Sequence, residues 1–208
     1  MGRARVGEDG AMGELVLIRH GQTEWSRQRR HTGRTDLPLT EEGEQQAEAL
    51  RPLLAKREPG LVVTSPLVRA ARTAELAGLR DPAVDPDLAE WDYGGYEGIT
   101  TKEIQRERPD WNLWRDGVPP GDADHPGESV EQVGERADRV LALVTAELDA
   151  GGPDVVLVAH GHVLRVLTAR WLGLPPSQGV LFRLDTATLS TLGREHDRPV
   201  ITSWNTSR

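Results

Sequence analysis

Leu15-Val16-Leu17-Ile18-Arg19-His20-Gly21 is the stretch from which the fold can be read. Four apolar residues in succession run straight into an arginine, a histidine and a glycine. An apolar run that is continuous rather than alternating marks a strand covered on both faces, as in a parallel sheet. Two further runs have this character, Leu61 to Thr64 and Val155 to Ala159, and each also ends in reactive residues. The second leads into Ser65-Pro66-Leu67-Val68-Arg69, the third into His160-Gly161-His162. Open parallel sheets bind their ligands beyond the carboxyl ends of the strands. Arg19, His20, Arg69 and His160 are therefore expected to meet at one sheet edge, although they come from distant parts of the chain.

Helices are expected between the strands. One starts at the cap Thr40 and carries Ala47, Leu50, Leu53 and Leu54 on one face. Ser65-Pro66 reads as a cap with a first-turn proline, followed by Leu67, Ala70, Ala71 and Ala74 at helical spacing. Ser129 and Gln132 form a capping box before the stripe Val130, Val133, Ala137, Val140, Leu141, Val144 and Leu148. The segment after His162 is apolar nearly all round and should be buried. Phe182 to Leu184, Ala187 to Leu192 and Val200 to Trp204 read as later strands. The stretch from Gly98 to Glu128, with Trp111, Trp114, Pro119 and Pro120, shows little pattern and is expected to cover one end of the sheet. Strands alternating with helices give an α/β layered fold with a largely parallel sheet.

Composition narrows the class. At 208 residues the chain suits one domain, expected over residues 14–208 behind a polar, Gly-rich tail at 1–13, with Met12 as an alternative start to Met1. With 37% hydrophobic and 28% charged residues, a core and a soluble surface are both expected. No apolar run is long enough to cross a bilayer, and no signal peptide precedes the first strand. The chain has no cysteine, which fits a reducing cytoplasm. A formal charge of −8 disfavours nucleic acid as a partner. Basic residues are nonetheless concentrated at Arg27, Arg29, Arg30, His31 and Arg34, beside Arg19 and His20, and a basic pocket on an acidic protein suits a small anion.

The converging residues suggest the chemistry. Arginine offers a planar fork that matches phosphate oxygens. Among arginines a histidine resists protonation, so one ring nitrogen stays free as a nucleophile if the other donates to a backbone carbonyl. Phosphoryl transfer asks mainly for positioning and charge stabilisation. The leaving alkoxide also needs a proton, and Glu90, flanked by aromatics in Leu88-Ala89-Glu90-Trp91-Asp92-Tyr93-Gly94, is the best candidate donor. His160-x-His162 has the spacing of a metal pair. A cation there would be repelled by Arg19 and Arg69, and no carboxylate but Glu24 adjoins either His motif, so neither a metal nor another cofactor is expected.

Leu17-Ile18-Arg19-His20-Gly21-Gln22-Thr23-Glu24-Trp25, Asp36 to Thr40, Ser65 to Ala70 with Arg72-Thr73-Ala74, the Glu90 segment, Gly127-Glu128-Ser129 and Ala159-His160-Gly161 follow in order along the chain. Taken together they resemble the histidine phosphatase superfamily, in the branch of cofactor-dependent phosphoglycerate mutases and related phosphatases. The resemblance implies a three-layer αβα sandwich of the phosphoglycerate mutase type. It implies that His20 becomes phosphohistidine, that Arg19, Arg69 and His160 hold the phosphoryl group with Gly161 beside them, and that Glu90 and His160 belong to the catalytic set. One departure stands out: many members have asparagine where this chain has Ser26.

Thr32-Gly33-Arg34-Thr35-Asp36 and Trp111 to Gly117 are similar to a subgroup that includes fungal sedoheptulose-bisphosphatase and bacterial acid phosphatases. That similarity implies a sugar phosphate or bisphosphate as substrate, with Thr32, Gly33, Arg34 and Arg115 as substrate-binding residues and Arg34 or Arg115 on a second anionic group. The expectation is a phosphomonoesterase acting on a small phosphate ester, with a homodimer left open. Two alternatives are a phosphoglycerate mutase and an inactive phosphate-binding module. The mutase is disfavoured by the modest Gly98–Glu128 excursion and by the four residues after Trp204, too few to fold back as a tail. The inactive module is disfavoured because nucleophile and acid are both retained.

Overall fold

In a computed structural model, residues 13–207 are described. Apart from Gly13, the tail expected at 1–13 and the choice between Met1 and Met12 lie outside them. The chain runs through β1 (Leu15–Arg19), α1 (Glu24–Gln28), α2 (Glu41–Glu48), α3 (Arg51–Leu54), β2 (Leu61–Thr64), α4 (Val68–Leu76) and β3 (Ala83–Val84). It continues through α5 (Thr101–Glu107), α6 (Leu113–Asp116), α7 (Val130–Asp149), β4 (Val155–Ala159), α8 (Gly161–Trp171), β5 (Leu189–Glu195) and β6 (Arg198–Thr206). Among the described residues no helix is long and apolar enough to cross a membrane.

The six strands form one sheet in the order β3-β2-β4-β1-β5-β6. The β3–β2, β2–β4 and β4–β1 pairs are parallel, while β1–β5 and β5–β6 are antiparallel. Successive strand residues point to opposite faces, and both faces are covered. Leu15, Leu17, Val155 and Leu157 pack with Val133, Val140, Leu164 and Leu167 of α7 and α8. Val16, Ile18, Val156 and Val158 pack with Leu50, Leu54, Ala70 and Ala74 on the other side. These side chains are nearly all withdrawn from water, at about 1.5–3 kcal/mol for each large one. The result is an αβα sandwich with a mostly parallel sheet.

Strand register explains why the reactive residues meet. Arg19 pairs with Ala159 in the β1–β4 ladder, and Thr64 of β2 pairs with Val158. His20, His160 and Ser65 therefore leave the sheet at nearly the same level. The His20 N–H continues the ladder by donating to the Ala159 carbonyl at 3.0 Å.

Several elements differ from expectation. The helix after Thr40 stops at Glu48 and resumes at Arg51, because Pro52 has no N–H to offer the preceding turn. Ser65 does not cap α4, whose N-cap is Leu67 without a side-chain cap bond. The Ser65 hydroxyl accepts from the Leu67 N–H at 3.3 Å, one residue before the helix, and lies 2.7 Å from His160 Nε2. Phe182 to Leu184 is not a strand, while the short α1 and the two-residue β3 carried too little pattern to be read. The Ser129–Gln132 capping box is present as expected, and α8 is largely buried.

Beyond β1 the chain passes hard against α2. A Cβ built on Gly21 would lie 2.3 Å from the Gly43 carbonyl oxygen, a backbone atom that cannot swing away. Gly21→Ala is expected to cost about 1–3 kcal/mol, roughly 3–10 °C in melting temperature for a domain of this size. Thermal denaturation followed by circular dichroism measures it, and an unchanged melting temperature would contradict the close approach.

Candidate active site

His20 sits in the wall of a cavity of about 420 Å³ and is only 5% exposed. Its Nδ1 is 2.7 Å from the Gly21 carbonyl oxygen. A carbonyl only accepts, so Nδ1 carries the proton and Nε2 keeps its lone pair. Burial first, then the charges of Arg69 and Arg19, hold the ring well below the ordinary histidine value near 6.5. His20 is thus a neutral imidazole of defined tautomer at neutral pH.

Arg19 reaches the same cavity. One guanidinium nitrogen donates to the Leu184 carbonyl at 2.5 Å, whereas Nε is a buried donor with no acceptor among the described residues. Gly161, the first residue of α8, packs so closely that a Cβ there would lie 3.3 Å from the Arg19 guanidinium. Arg69 and His160 are fully buried and stand behind His20 rather than in the cavity wall. Arg69 Nε donates to His160 Nδ1 at 3.1 Å, and its outer nitrogens donate to the carbonyls of Thr32, Gly33 and Thr35. His160 Nδ1 is therefore the acceptor, and Nε2–H is left to donate to Ser65 Oγ. The His20 and His160 rings meet edge to face with centroids 5.0 Å apart. Both nitrogens of His160 are engaged, and among the described residues no group of three or more His, Asp or Glu side chains is placed to hold a metal ion.

Glu90 also lines the cavity and accepts three backbone N–H groups, from Trp91, His162 and Val163, each at 2.9 Å. Its setting is thus richer in donors than flanking aromatics alone suggest. Two of those donors belong to the first turn of α8, the helix that also supplies Gly161. Arg136 of α7, 5% exposed, donates to the carbonyls of Asp87, Ala89 and Glu90 and to both carboxylate oxygens of Glu128. Glu128 in turn accepts from the Asp92 N–H at 2.9 Å. A buried arginine thereby fixes the Glu90 loop through its backbone. The sequence carried a signal for this, since Arg136 stands between Val133 and Ala137 inside an apolar stripe.

The sequence pattern of the histidine phosphatase superfamily (branch 1) matches residues 15–207. The chain belongs to that superfamily. It is 44% identical over 184 residues to an acid phosphatase of Mycobacterium tuberculosis, covering 88% of this chain and 87% of the relative. It is 37% identical over 189 residues to sedoheptulose 1,7-bisphosphatase of Saccharomyces cerevisiae, covering 76% of this chain and 67% of that protein. A mycobacterial glucosyl-3-phosphoglycerate phosphatase solved with VO3 superposes with a TM-score of 0.80 at 34% identity, over 93% of this chain and 99% of that one. Family and relatives together make this chain a phosphatase.

The cavity of this histidine phosphatase has a different outer wall from the one expected. Thr32 lines it, but Gly33, Arg34 and Arg115 do not. The Gly33 carbonyl is turned inward to Arg69 at 2.8 Å, and its N–H is taken by Glu97. Arg34 leans toward Glu128 at 3.8 Å, and Arg115 folds onto Asp116 in its own turn. Arg29, Arg30 and Arg165 supply the outer positive charge instead, alongside His31, Trp111, Trp114 and His162. Ser26, where many relatives have asparagine, lines the cavity, but its hydroxyl is committed to the Thr23 backbone in the α1 capping box.

Proposed function

We propose that this chain hydrolyses phosphomonoesters of small sugar-type metabolites through a phosphohistidine on His20. The observation that carries the reading is the His20 Nδ1 to Gly21 carbonyl contact of 2.7 Å, which leaves Nε2 as a free nucleophile in the cavity. The unpartnered Arg19 Nε beside it is a donor suited to a phosphoryl oxygen, as is the N-terminus of α8 at Gly161. Nε2 attacks phosphorus, the P–O ester bond breaks, and the departing oxygen takes a proton from Glu90. Glu90, now ionised, removes a proton from water as that water attacks phosphohistidine, releasing phosphate and restoring Nε2. Arg69 and His160 support the developing charge from behind His20. The three arginines of the outer wall, rather than Arg34 or Arg115, take any second anionic group. Residues 14–208 act as a single domain in this reading, supported by a family match over 15–207.

The sugar preference draws on the named relatives and on the aromatic wall of Trp111 and Trp114. The test is product analysis on a panel of sugar phosphates, phosphoglycerates and nucleotides. Free phosphate is expected from sugar phosphates. With 3-phosphoglycerate and a trace of 2,3-bisphosphoglycerate, rapid conversion to 2-phosphoglycerate with little free phosphate would replace hydrolysis by mutase chemistry.

A further inference from the structure

His162 lies in the same wall as His20 and Glu90, yet the hydrolytic cycle above gives its ring no part. Its Nδ1 is 2.6 Å from the Tyr93 hydroxyl. Tyr93 is 2% exposed, and His162 Nδ1 is the sole hydrogen-bond acceptor for that hydroxyl among the described residues. A buried O–H with no acceptor is costly, so the hydroxyl donates and Nδ1 accepts. The ring proton must then sit on Nε2.

That nitrogen faces the cavity. It makes no hydrogen bond to any described residue, and the only described side-chain polar atoms that are both buried and unpartnered are Arg19 Nε and Trp171 Nε1. The His162 side chain keeps 24% of its surface exposed, and Trp91, Tyr93 and Trp114 surround its ring. Burial and the charge of Arg165 keep the ring neutral, well below the ordinary histidine value. Burial and the nearby Glu90 and Glu97 keep the Tyr93 proton in place, well above the ordinary phenol value. Both effects preserve the same tautomer.

We propose that His162 Nε2–H, oriented by the Tyr93 hydroxyl, is a neutral donor that reads a hydroxyl oxygen of the sugar on the leaving-group side of the ester. Its place beside the proton donor supports this: His162 Nδ1 lies 4.0 Å from a Glu90 carboxylate oxygen, and the His162 backbone N–H binds that same oxygen. The His162 ring and the Glu90 carboxyl group thus stand side by side in the wall of one cavity. A neutral donor here discriminates by hydrogen bonding, because a substrate without the hydroxyl leaves Nε2–H buried and unpaired. The aromatic surround suits the apolar face of a sugar ring. The substrate side of the proposal rests on the phosphatase reading above, whereas the tautomer does not.

Two measurements separate these parts. Nitrogen-15 NMR of the unliganded protein reads the tautomer directly. His162 is expected in the Nε2–H form between pH 6 and pH 8, and Tyr93→Phe is expected to mix the tautomers. A Nδ1–H form in the unaltered protein would overturn the proposal, even if the enzyme is an active phosphatase. Kinetics then test the reading of hydroxyls. His162→Phe keeps the ring shape and the backbone N–H to Glu90 but removes the donor. It is expected to lower kcat/KM for sugar phosphates about 10- to 100-fold more than for p-nitrophenyl phosphate, and Tyr93→Phe to give a smaller loss of the same selectivity. Equal losses on both substrates would overturn the proposal. Failure of the phosphatase reading would show itself separately, as unaltered protein that releases no phosphate from any ester.

Discussion

Loss of turnover by about 10⁴-fold or more is the expected result of replacing His20 with alanine. The variant removes the Nε2 lone pair that the Nδ1 contact with the Gly21 carbonyl leaves free, beside Arg19 in the cavity wall. Arg19, the first turn of α8 and Glu90 would still bind a phosphate ester, but water would have to attack unaided. The fold should survive, because the residue-20 backbone N–H still donates to Ala159 and Gly21 still makes its approach to Gly43. A second readout is independent of rate. Protein quenched during turnover should carry phosphate that is labile in acid and stable in base, and the alanine variant should carry none. Substantial turnover by the variant, or phosphate with the stability of a serine ester, would remove His20 from its role.

Glu90→Gln should follow with a loss of about 10²- to 10⁴-fold, confined in the first step to esters with poor leaving groups. Sugar alkoxides need a proton as they depart, and nitrophenolate does not. The second step needs Glu90 as a base whatever the first substrate was. With p-nitrophenyl phosphate the variant should therefore show a rapid burst of nitrophenol followed by a slow steady state, as phosphoenzyme accumulates. The structure adds a complication that the experiment must control. Glu90 accepts N–H groups on both carboxylate oxygens, and the amide nitrogen of glutamine cannot accept from His162. Some loss could thus come from a displaced first turn of α8, which would depress burst and steady state alike for every substrate. A burst that survives while sugar phosphates stall identifies a proton donor, whereas equal loss throughout reports the displaced helix turn and leaves Glu90 without support as the acid.

Much of the fold was legible because its central strands are short, almost entirely apolar and followed at once by polar residues. Leu15 to Ile18, Leu61 to Thr64 and Val155 to Ala159 left little alternative to buried parallel strands, and their ends located the site. Ala83–Val84 was invisible because two residues on a sheet edge impose no pattern. The break between α2 and α3 was readable from Pro52 but was outweighed by the continuing apolar spacing of Leu50, Leu53 and Leu54. The inner residues of the candidate site follow directly from strand ends, whereas its outer wall does not. Arg29, Arg30 and Arg34 look equivalent in sequence. They are separated by a left-handed backbone at Arg29 and by isolated bridges that tie Arg30 to Thr100 and Thr23 to Leu39. Arg165 was hidden inside a helix that read as apolar nearly all round, and Tyr93 meets His162 across 69 positions of sequence.

Arg136 holds the loop from Asp87 to Glu90 by carbonyl oxygens, which every amino acid possesses. An anchor of that kind is indifferent to the identity of what it grips. Side chains along the loop are free to drift wherever they do not enter the core, and the proton donor stays where it is. The constraint moves to two distant positions, Arg136 and Glu128, which neither line the cavity nor resemble catalytic groups. Swapping the loop between relatives is then a tractable route to new substrate preferences, provided that this pair travels with it.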